Sequence, residues 1–161
     1  MSKARSSPTP GPRNRSRTVP EPPPAKVQPL LHAALEARHR ARAPWSRFRV
    51  GAAVLTRSGR IFTGANVESA SFGLTCCAER VALFKTLTEC NEPIVAVAVV
   101  ARLAGGPTPC GACRQLLAEY ASTAWVFLAD SRSPRRYRAF PVPALLPEAF
   151  LRFQVSSRSR R

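Results

Sequence analysis

Acidic residues and long apolar runs are both scarce in this sequence. The 161 residues include 9 Asp and Glu against 25 Lys and Arg, which gives a formal net charge of +16. No apolar run approaches the roughly 20 residues of a membrane-spanning helix, and no apolar core of a signal peptide opens the chain. These absences argue against a membrane partner and against a secreted framework of disulfides. We therefore expect a cytoplasmic protein.

The first 19 residues contain no acidic side chain at all. They are rich in Arg, Ser, Thr and Pro, and transit peptides share this acid-poor, Arg- and Ser-rich bias. Transit peptides are also amphipathic, whereas this segment has few apolar residues and is interrupted by prolines. We favour a disordered tail, and organelle targeting through the basic segment stays as the alternative.

The positive charge is concentrated towards the two ends of the chain. Residues 1–28 carry six positive charges and one negative, residues 151–161 carry four positive and none negative, and residues 131–138 contain four arginines. This composition predicts a disordered, Pro-rich basic tail over residues 1–28, one domain over residues 29–151 and a basic tail over residues 152–161. Basic tails bind polyanions in a salt-dependent way, so nucleic acid is expected as a partner only through them.

Hydrophobic periodicity predicts alternating helices and strands. The expected elements are a helix over residues 30–43 that Pro44 ends, strands over 49–56 and 60–66, a helix over 75–90, a strand over 94–100, a helix over 111–120, strands over 125–128 and 136–140, and a short helix over 143–150. This order predicts an α/β fold, a three-layer α/β/α sandwich with a mixed five-stranded sheet and helices on both of its faces.

The helix over residues 75–90 begins beside two cysteines, so its details matter. Thr75 is the expected N-cap, because its hydroxyl can accept a hydrogen bond from a backbone N–H of the first turn. The inward face is expected to carry four apolar residues, Val81, Leu83, Phe84 and Leu87.

Three of the five cysteines have the spacing of a metal site. Cys77 lies near the start of one predicted helix, and Cys110 and Cys113 form a Cys-x-x-Cys motif at the start of another. Helix N-termini stabilise thiolates. Three thiolate ligands leave the fourth position of a zinc ion to water, whose pKa zinc lowers towards about 7. Glu79, two positions after Cys77, can move protons there without binding the metal.

Spacing alone leaves other interpretations of these cysteines open. A Cys-x-x-Cys motif is also typical of a redox pair or of half of a structural zinc site. A structural site needs a fourth ligand, and both histidines, His32 and His39, lie far upstream in the first predicted helix. Cys76 is the remaining competitor, but successive residues at a helix start point apart, so a packed or free thiol is expected. The spacing favours catalytic zinc over structural zinc.

Five ordered blocks of the sequence resemble the small, tetramer-forming cytidine deaminases. The resemblance covers about residues 30–150, and its blocks are residues 44–53, 64–70, 77–80, 109–115 and 145–150. It implies zinc-dependent hydrolysis of cytidine and 2′-deoxycytidine to uridine and 2′-deoxyuridine in pyrimidine salvage. It also implies a homotetramer with one zinc ion per subunit.

The same resemblance implies a role for each matching residue. Cys77, Cys110 and Cys113 bind zinc, zinc hydroxide attacks C4 of cytosine, and Glu79 carries protons to N3 and then to the departing ammonia. Arg80 tempers the charge of the sulfurs. The matching substrate contacts are Asn66 and Glu68 for the ribose hydroxyls, Phe48 for packing against the nucleoside, Ala70 for a backbone contact to the base, and Phe150, which reaches a neighbouring subunit's pocket.

The chain departs from the family pattern beside the expected pocket. Trp45 stands where the family commonly has Tyr, and Phe72 with Gly73 replaces the more usual Tyr-Pro, which removes a hydroxyl and gives the loop more freedom. These departures concern substrate preference rather than the reaction.

Two rival functions are kept. One is a deaminase of a modified nucleoside such as blasticidin S, against which Asn66 with Glu68 favours ordinary ribose. The other is a nucleic-acid-binding protein whose basic tails are the active part. Phe150 supplied by a neighbour would close the pocket to polymers and argues against editing of nucleic acid.

Overall fold

The computed structural model describes residues 20, 22 and 24–151. The possible targeting segment over residues 1–19 and the predicted tail over residues 152–161 lie outside this range. Within the described part of the chain, no helix is long and apolar enough to cross a bilayer.

The described residues follow the predicted order of helices and strands. They form α1 (Pro24–Arg38), β1 (Val50–Thr56), β2 (Ile61–Ala65), a 3-10 helix (Phe72–Leu74), α2 (Ala78–Glu89), β3 (Ile94–Ala101), α3 (Gly111–Tyr120), β4 (Trp125–Asp130), β5 (Tyr137–Pro141) and α4 (Val142–Leu145).

The five strands form one mixed sheet in the order β2-β1-β3-β4-β5. Strand β1 runs antiparallel to β2 and β3, and β5 runs antiparallel to β4. Strands β3 and β4 are parallel, and α3 forms the crossover that a parallel pair requires. In the central strand β3, every residue from Ala96 to Ala101 is buried, as expected for a strand covered on both faces.

Each face of the sheet carries its own apolar core. On one face α1 packs against side chains of β1, β3 and β4, with Leu30, Leu31 and Phe127 fully buried. On the other face lie α2, α3 and α4, with Leu83 and Leu117 at the centre. The three-layer α/β/α sandwich with a mixed five-stranded sheet is confirmed.

A glycine in β2 lets α2 approach the sheet unusually closely. A Cβ atom on Gly64 would lie 2.4 Å from the backbone nitrogen of Ala82 and 2.6 Å from the carbonyl oxygen of Ala78, both in α2. No side chain fits in that space, so only glycine allows this contact. The start of α2 is therefore held directly against the edge of the sheet.

Helix α1 differs from its predicted bounds at both ends. It begins at Pro24, because Val27, Leu30, Leu31 and Ala34 form one buried stripe at helical spacing. It ends at Arg38, before Pro44, because Arg42 pairs with Val67 as an isolated β-bridge. The boundary predicted between residues 28 and 29 thus falls within a helix.

Helix α2 begins later than predicted. Cys77 is its N-cap and Thr75 is not; the Thr75 hydroxyl accepts instead from the Ser69 amide at 3.1 Å. The later start changes the buried face, which is formed by Ala78, Glu79, Ala82, Leu83 and Thr86.

Two residues predicted on that inward face, Phe84 and Leu87, are exposed, and Val81 is half-buried. The final helix, α4, has four residues rather than the predicted eight. It ends at Leu145 with Leu146 as its C-cap, before Pro147 and before Glu148, whose φ of 55° is incompatible with a helix.

Candidate active site

Two helix starts bring three cysteines to one point. Cys77 is the N-cap of α2, Cys110 is the N-cap of α3, and Cys113 lies in the first turn of α3. The Sγ atoms of Cys77 and Cys110 are 3.8 Å apart, and those of Cys110 and Cys113 are 3.6 Å apart. Thiolates at about 2.3 Å from a tetrahedral zinc ion are separated by about 3.8 Å. The cluster therefore fits zinc.

Within residues 24–151, the cluster offers three protein ligands. Among the described residues, no further Cys, His, Asp or Glu joins the three sulfurs, which all lie within 4.8 Å of one another. Cys76 lies outside the cluster, and its backbone pairs with Val67. A zinc ion held here keeps one coordination position open, as catalytic rather than structural sites do.

The thiols of the cluster share their protons unevenly. Hydrogen bonds from the thiols of Cys113 and Cys110 and from Arg80 lower the pKa of Cys77 to about 5, although burial opposes this shift. Donation to Cys77 and burial raise the pKa of Cys113. The cluster thus contains thiolate at neutral pH, the form of sulfur that binds metal.

Arg80 lies in the first turn of α2 beside the sulfurs. Its Nη2 donates to the carbonyl of Thr75 at 2.6 Å and lies 4.0 Å from Cys77 Sγ. Its Nε is buried and has no hydrogen-bond partner among the described residues. A positive group with an unused buried donor fits a centre that becomes more negative when all three thiols ionise on binding a metal.

Glu79 is the acidic residue of this centre. It is 6% exposed and lies in the first turn of α2, two positions after Cys77. Burial raises the pKa of Glu79. A carboxyl in this setting can hold a proton closer to neutral pH than an exposed one can.

A cavity of about 460 Å³ lies between the segment that precedes β1 and the connection from β2 to α2. Its lining residues are Trp45, Ser46, Glu68, Ser69, Phe72 and Thr75. Thr75 connects the cavity to the cluster, because its carbonyl accepts from Arg80, which also contacts Cys77.

Asn66 and Glu68, the predicted ribose contacts, are both tied to the chain just before β1. The Asn66 side chain is buried; its Oδ1 accepts from Val50 N at 2.8 Å and its Nδ2 donates to Phe48 O at 3.0 Å. Glu68 accepts from the amides of Trp45 and Ser46 and from the Ser46 hydroxyl. The segment from residue 45 to residue 50 thus fixes both side chains.

Asn66 does not line the cavity, and neither do the other predicted substrate contacts, Phe48, Ala70 and Phe150. Phe48 and Ala70 are exposed. Phe150 is 61% exposed, and its carbonyl accepts from Gln115 Nε2 at 2.6 Å. The structure of a single chain therefore brings Glu68 to the cavity and leaves these three residues at the surface.

Ser46 was not predicted to organise the site, whereas Arg114 was, with Arg80, one of two arginines close enough in sequence to be expected to donate to a sulfur. Ser46 holds Glu68, and Arg114 donates to the carbonyls of Pro109 and Leu145, at 2.7 and 3.2 Å, rather than to a sulfur. Ser46 stands 22 positions from Glu68, so no local pattern pairs them. Arg114 follows Cys113 directly, and that adjacency was the available signal.

The fold and the site together define a class of protein. Its members have an α/β/α sandwich, a thiolate metal centre at two helix starts and a buried carboxyl beside that centre. A sequence model described as the cytidine and deoxycytidylate deaminase zinc-binding region matches residues 24–129. The chain belongs to this deaminase family. The matched region contains Cys77, Cys110 and Cys113, and the cofactor is one zinc ion per subunit.

Named relatives and solved structures agree with this assignment. The chain is 46% identical to a cytidine deaminase of Halalkalibacterium halodurans, over 76% of this chain and 92% of the relative. It is 38% identical to a cytidine deaminase of Sporosarcina psychrophila, over 81% and 95%. The crystal structure of cytidine deaminase from Burkholderia pseudomallei has a TM-score of 0.72 at 45% identity and covers 76% of this chain and 97% of its own.

Proposed function

We propose that this protein is a zinc-dependent deaminase that converts cytidine and 2′-deoxycytidine, with water, to uridine and 2′-deoxyuridine and ammonia. The observation that carries the proposal is the three-cysteine cluster with buried Glu79 at its edge. Similarity to proteins named cytidine deaminase supports the choice of substrate. Pyrimidine salvage is the proposed role, because it is the part of metabolism that uses nucleosides of this kind.

The residues at the starts of α2 and α3 have separate roles in the reaction. Held by Cys77, Cys110 and Cys113, zinc supplies a Lewis acid that lowers the pKa of water towards about 7. Glu79 takes a proton from the attacking water, passes it to N3 as C4 is attacked, and then helps the amino group to leave as ammonia. Its burial suits a group that must hold a proton between two steps. Arg80 offsets the negative charge of the sulfurs.

The ribose is proposed to bind between Asn66 and Glu68. One hydrogen of the Asn66 amide and one lone-pair site of the Glu68 carboxylate remain beyond the bonds that these groups already make. A hydroxyl can accept from the first and donate to the second. Phe48 is proposed to pack against the nucleoside and Ala70 to contact the base through its backbone.

We infer a homotetramer in which Phe150 of one subunit completes the pocket of another. Large apolar side chains are exposed on the single chain, including Phe72 at 80% and Leu74 at 75% beside the cavity. Exposed apolar groups of this size mark contact surfaces. A native mass of four chains is expected, and a monomer with full activity would contradict this inference. A cytoplasmic location is proposed because the centre needs reduced thiols.

Ammonia release, with zinc quantified on the same sample, tests the function. Cytidine and 2′-deoxycytidine should be deaminated and blasticidin S should not. Cys110→Ala should lose zinc and activity together, whereas Cys90→Ala, outside the cluster, should keep both. Turnover of blasticidin S without turnover of cytidine would replace this proposal by a deaminase of modified nucleosides.

A further inference from the structure

We propose that Ser46 is a positioning residue for ribose recognition, because its hydroxyl orients the Glu68 carboxylate and leaves one acceptor site for the substrate. This inference rests on the proposed nucleoside deamination. It concerns how tightly the substrate is held, not how the C–N bond is broken.

The hydrogen bonds of Glu68 account for three of its acceptor sites. Oε2 accepts from Trp45 N at 3.0 Å and from Ser46 N at 3.2 Å. Oε1 accepts from the Ser46 hydroxyl. A carboxylate offers about four lone-pair sites, two on each oxygen. Oε2 is therefore full, and one site on Oε1 is left for a hydroxyl of the ligand.

The Ser46 hydroxyl is itself held in place. Its Oγ accepts from the Phe48 amide at 2.9 Å. This is the hydrogen bond of a local turn in which a serine hydroxyl accepts from the amide two residues later. The intervening Arg47 has a φ of 57°, in the left-handed region that residues with side chains seldom adopt. The hydroxyl thus bridges the backbone at Phe48 and the Glu68 carboxylate.

This bridge also favours the ionised form of Glu68, the form that accepts hydrogen bonds. The Ser46 hydroxyl is the main cause that lowers the pKa of Glu68 below its ordinary value. An ionised carboxylate can only accept, so the remaining Oε1 site is matched to a donor hydroxyl and not to a carbonyl. Without the Ser46 hydroxyl, the two amides still hold Oε2, but Oε1 loses the donor that fixes the plane of the carboxylate and occupies one of its acceptor sites, so two ligand orientations compete.

The test compares Ser46→Ala, Ser46→Thr and wild type. Cytidine is the substrate, and 2′,3′-dideoxycytidine, which lacks the hydroxyls that Glu68 is proposed to hold, is added as a competitor over a concentration range that yields its inhibition constant. Ser46→Ala should raise KM for cytidine about tenfold with kcat within about twofold, the low end for a hydrogen bond to a charged group. Ser46→Thr, which keeps the hydroxyl, should restore most of the loss. The inhibition constant of the dideoxy analogue should change less than about twofold.

Two controls separate positioning from folding. Ser122→Ala lies beyond the far end of α3, about 15 Å along the helix from the metal centre, and should match wild type. In a Glu68→Ala background, Ser46→Ala should cost less than about twofold, because its effect acts through the missing carboxylate. Thermal melting of each variant shows whether the chain is folded.

The results divide clearly. The inference would be overturned if Ser46→Ala raised KM for cytidine and the inhibition constant of the dideoxy analogue by the same factor, or if it raised neither. It would also be overturned if KM in Ser46→Thr stayed as high as in Ser46→Ala. If wild type releases no ammonia, the deaminase proposal fails. The affinity for cytidine is then measured by calorimetry on the Ser46 variants in a Glu79→Gln background, which tests the role of Ser46 separately. If no cytidine binds, both the deaminase proposal and the role of Ser46 are overturned.

Discussion

At the scale of single residues, the start of α2 places opposite demands on adjacent side chains. Cys77 has to lose its proton to bind a metal, whereas the role proposed for Glu79 requires it to keep one available. Hydrogen bonds from the neighbouring thiols lower the pKa of the first, and burial raises the pKa of the second. The two groups lie at the start of one helix, but the thiols that lower the pKa of Cys77 come from the start of α3.

Glu79→Gln should keep zinc and lose turnover. The amide has nearly the shape of the carboxyl but cannot carry the proton, so kcat should fall by at least about 10²-fold. Glu89→Gln, at the exposed far end of α2, is the matched control and should behave as wild type. Zinc content and ammonia release measure the two effects, and a Glu79→Gln enzyme with near-normal turnover would rule out the proton-shuttle role.

Substrate affinity should be insensitive to mild acid. The pKa of Glu68 lies below the ordinary value of 4.5 because Ser46 donates to it. The ionised, binding form therefore persists as pH falls and is lost only as pH passes below that lowered pKa. KM for cytidine should stay constant from about pH 7 to about pH 5. A rise of KM centred near about pH 6 would contradict this expectation.

The metal centre could be predicted from residue types and spacing, but the substrate side of the site could be predicted only in part. Cys77, Cys110 and Cys113 can be identified from the sequence because helix starts and a Cys-x-x-Cys motif are local features. The partners of Glu68 are set by a loop that folds back across 22 residues. That contact depends on the tertiary structure, and the sequence around Ser46 contains no sign of it.

At the scale of elements, the close contact between β2 and α2 decides where the centre lies. Gly64→Ala should force the two apart, since its Cβ would meet backbone atoms of α2 at 2.4 and 2.6 Å. We expect a loss of about 1–3 kcal/mol in the free energy of unfolding and weaker retention of zinc, because Cys77 caps the displaced helix.

The matched control is Gly73→Ala, whose added Cβ meets nothing within 4 Å. It should change the free energy of unfolding by less than about 0.5 kcal/mol. Denaturant titration and zinc competition with a chelating dye measure both variants. Equal stability of Gly64→Ala and Gly73→Ala would show that α2 accommodates the extra atom.

Element boundaries show where local pattern suffices. The bounds of α3 were predicted correctly, Gly111–Tyr120, because Pro109 and Cys110 mark its start. The start of α1 was missed because Pro29 lies inside the helix, where proline ordinarily argues against one. The buried stripe from Val27 to Ala34 outweighs that local cost, and burial is a property of the packed fold.

At the scale of the whole molecule, the basic ends and the deaminase centre should be separable. Nine of the 25 Lys and Arg lie in residues 1–19 and 152–161. Removing both segments should leave kcat/KM for cytidine unchanged and lower the salt concentration needed to elute the protein from a DNA column. A large loss of turnover would show instead that the ends contribute to catalysis or assembly.

The cysteine cluster also has a mechanical consequence. All five cysteines are free thiols, so a zinc ion bound by residues 77, 110 and 113 is a cross-link, and the loop that it closes contains the whole of α2 and β3. By analogy with a disulfide closing a loop of this length, it restricts the unfolded chain by about 3–4 kcal/mol. Chelation should therefore lower the melting temperature as well as the activity. The zinc ion proposed to activate water therefore also links the start of α2 to the start of α3.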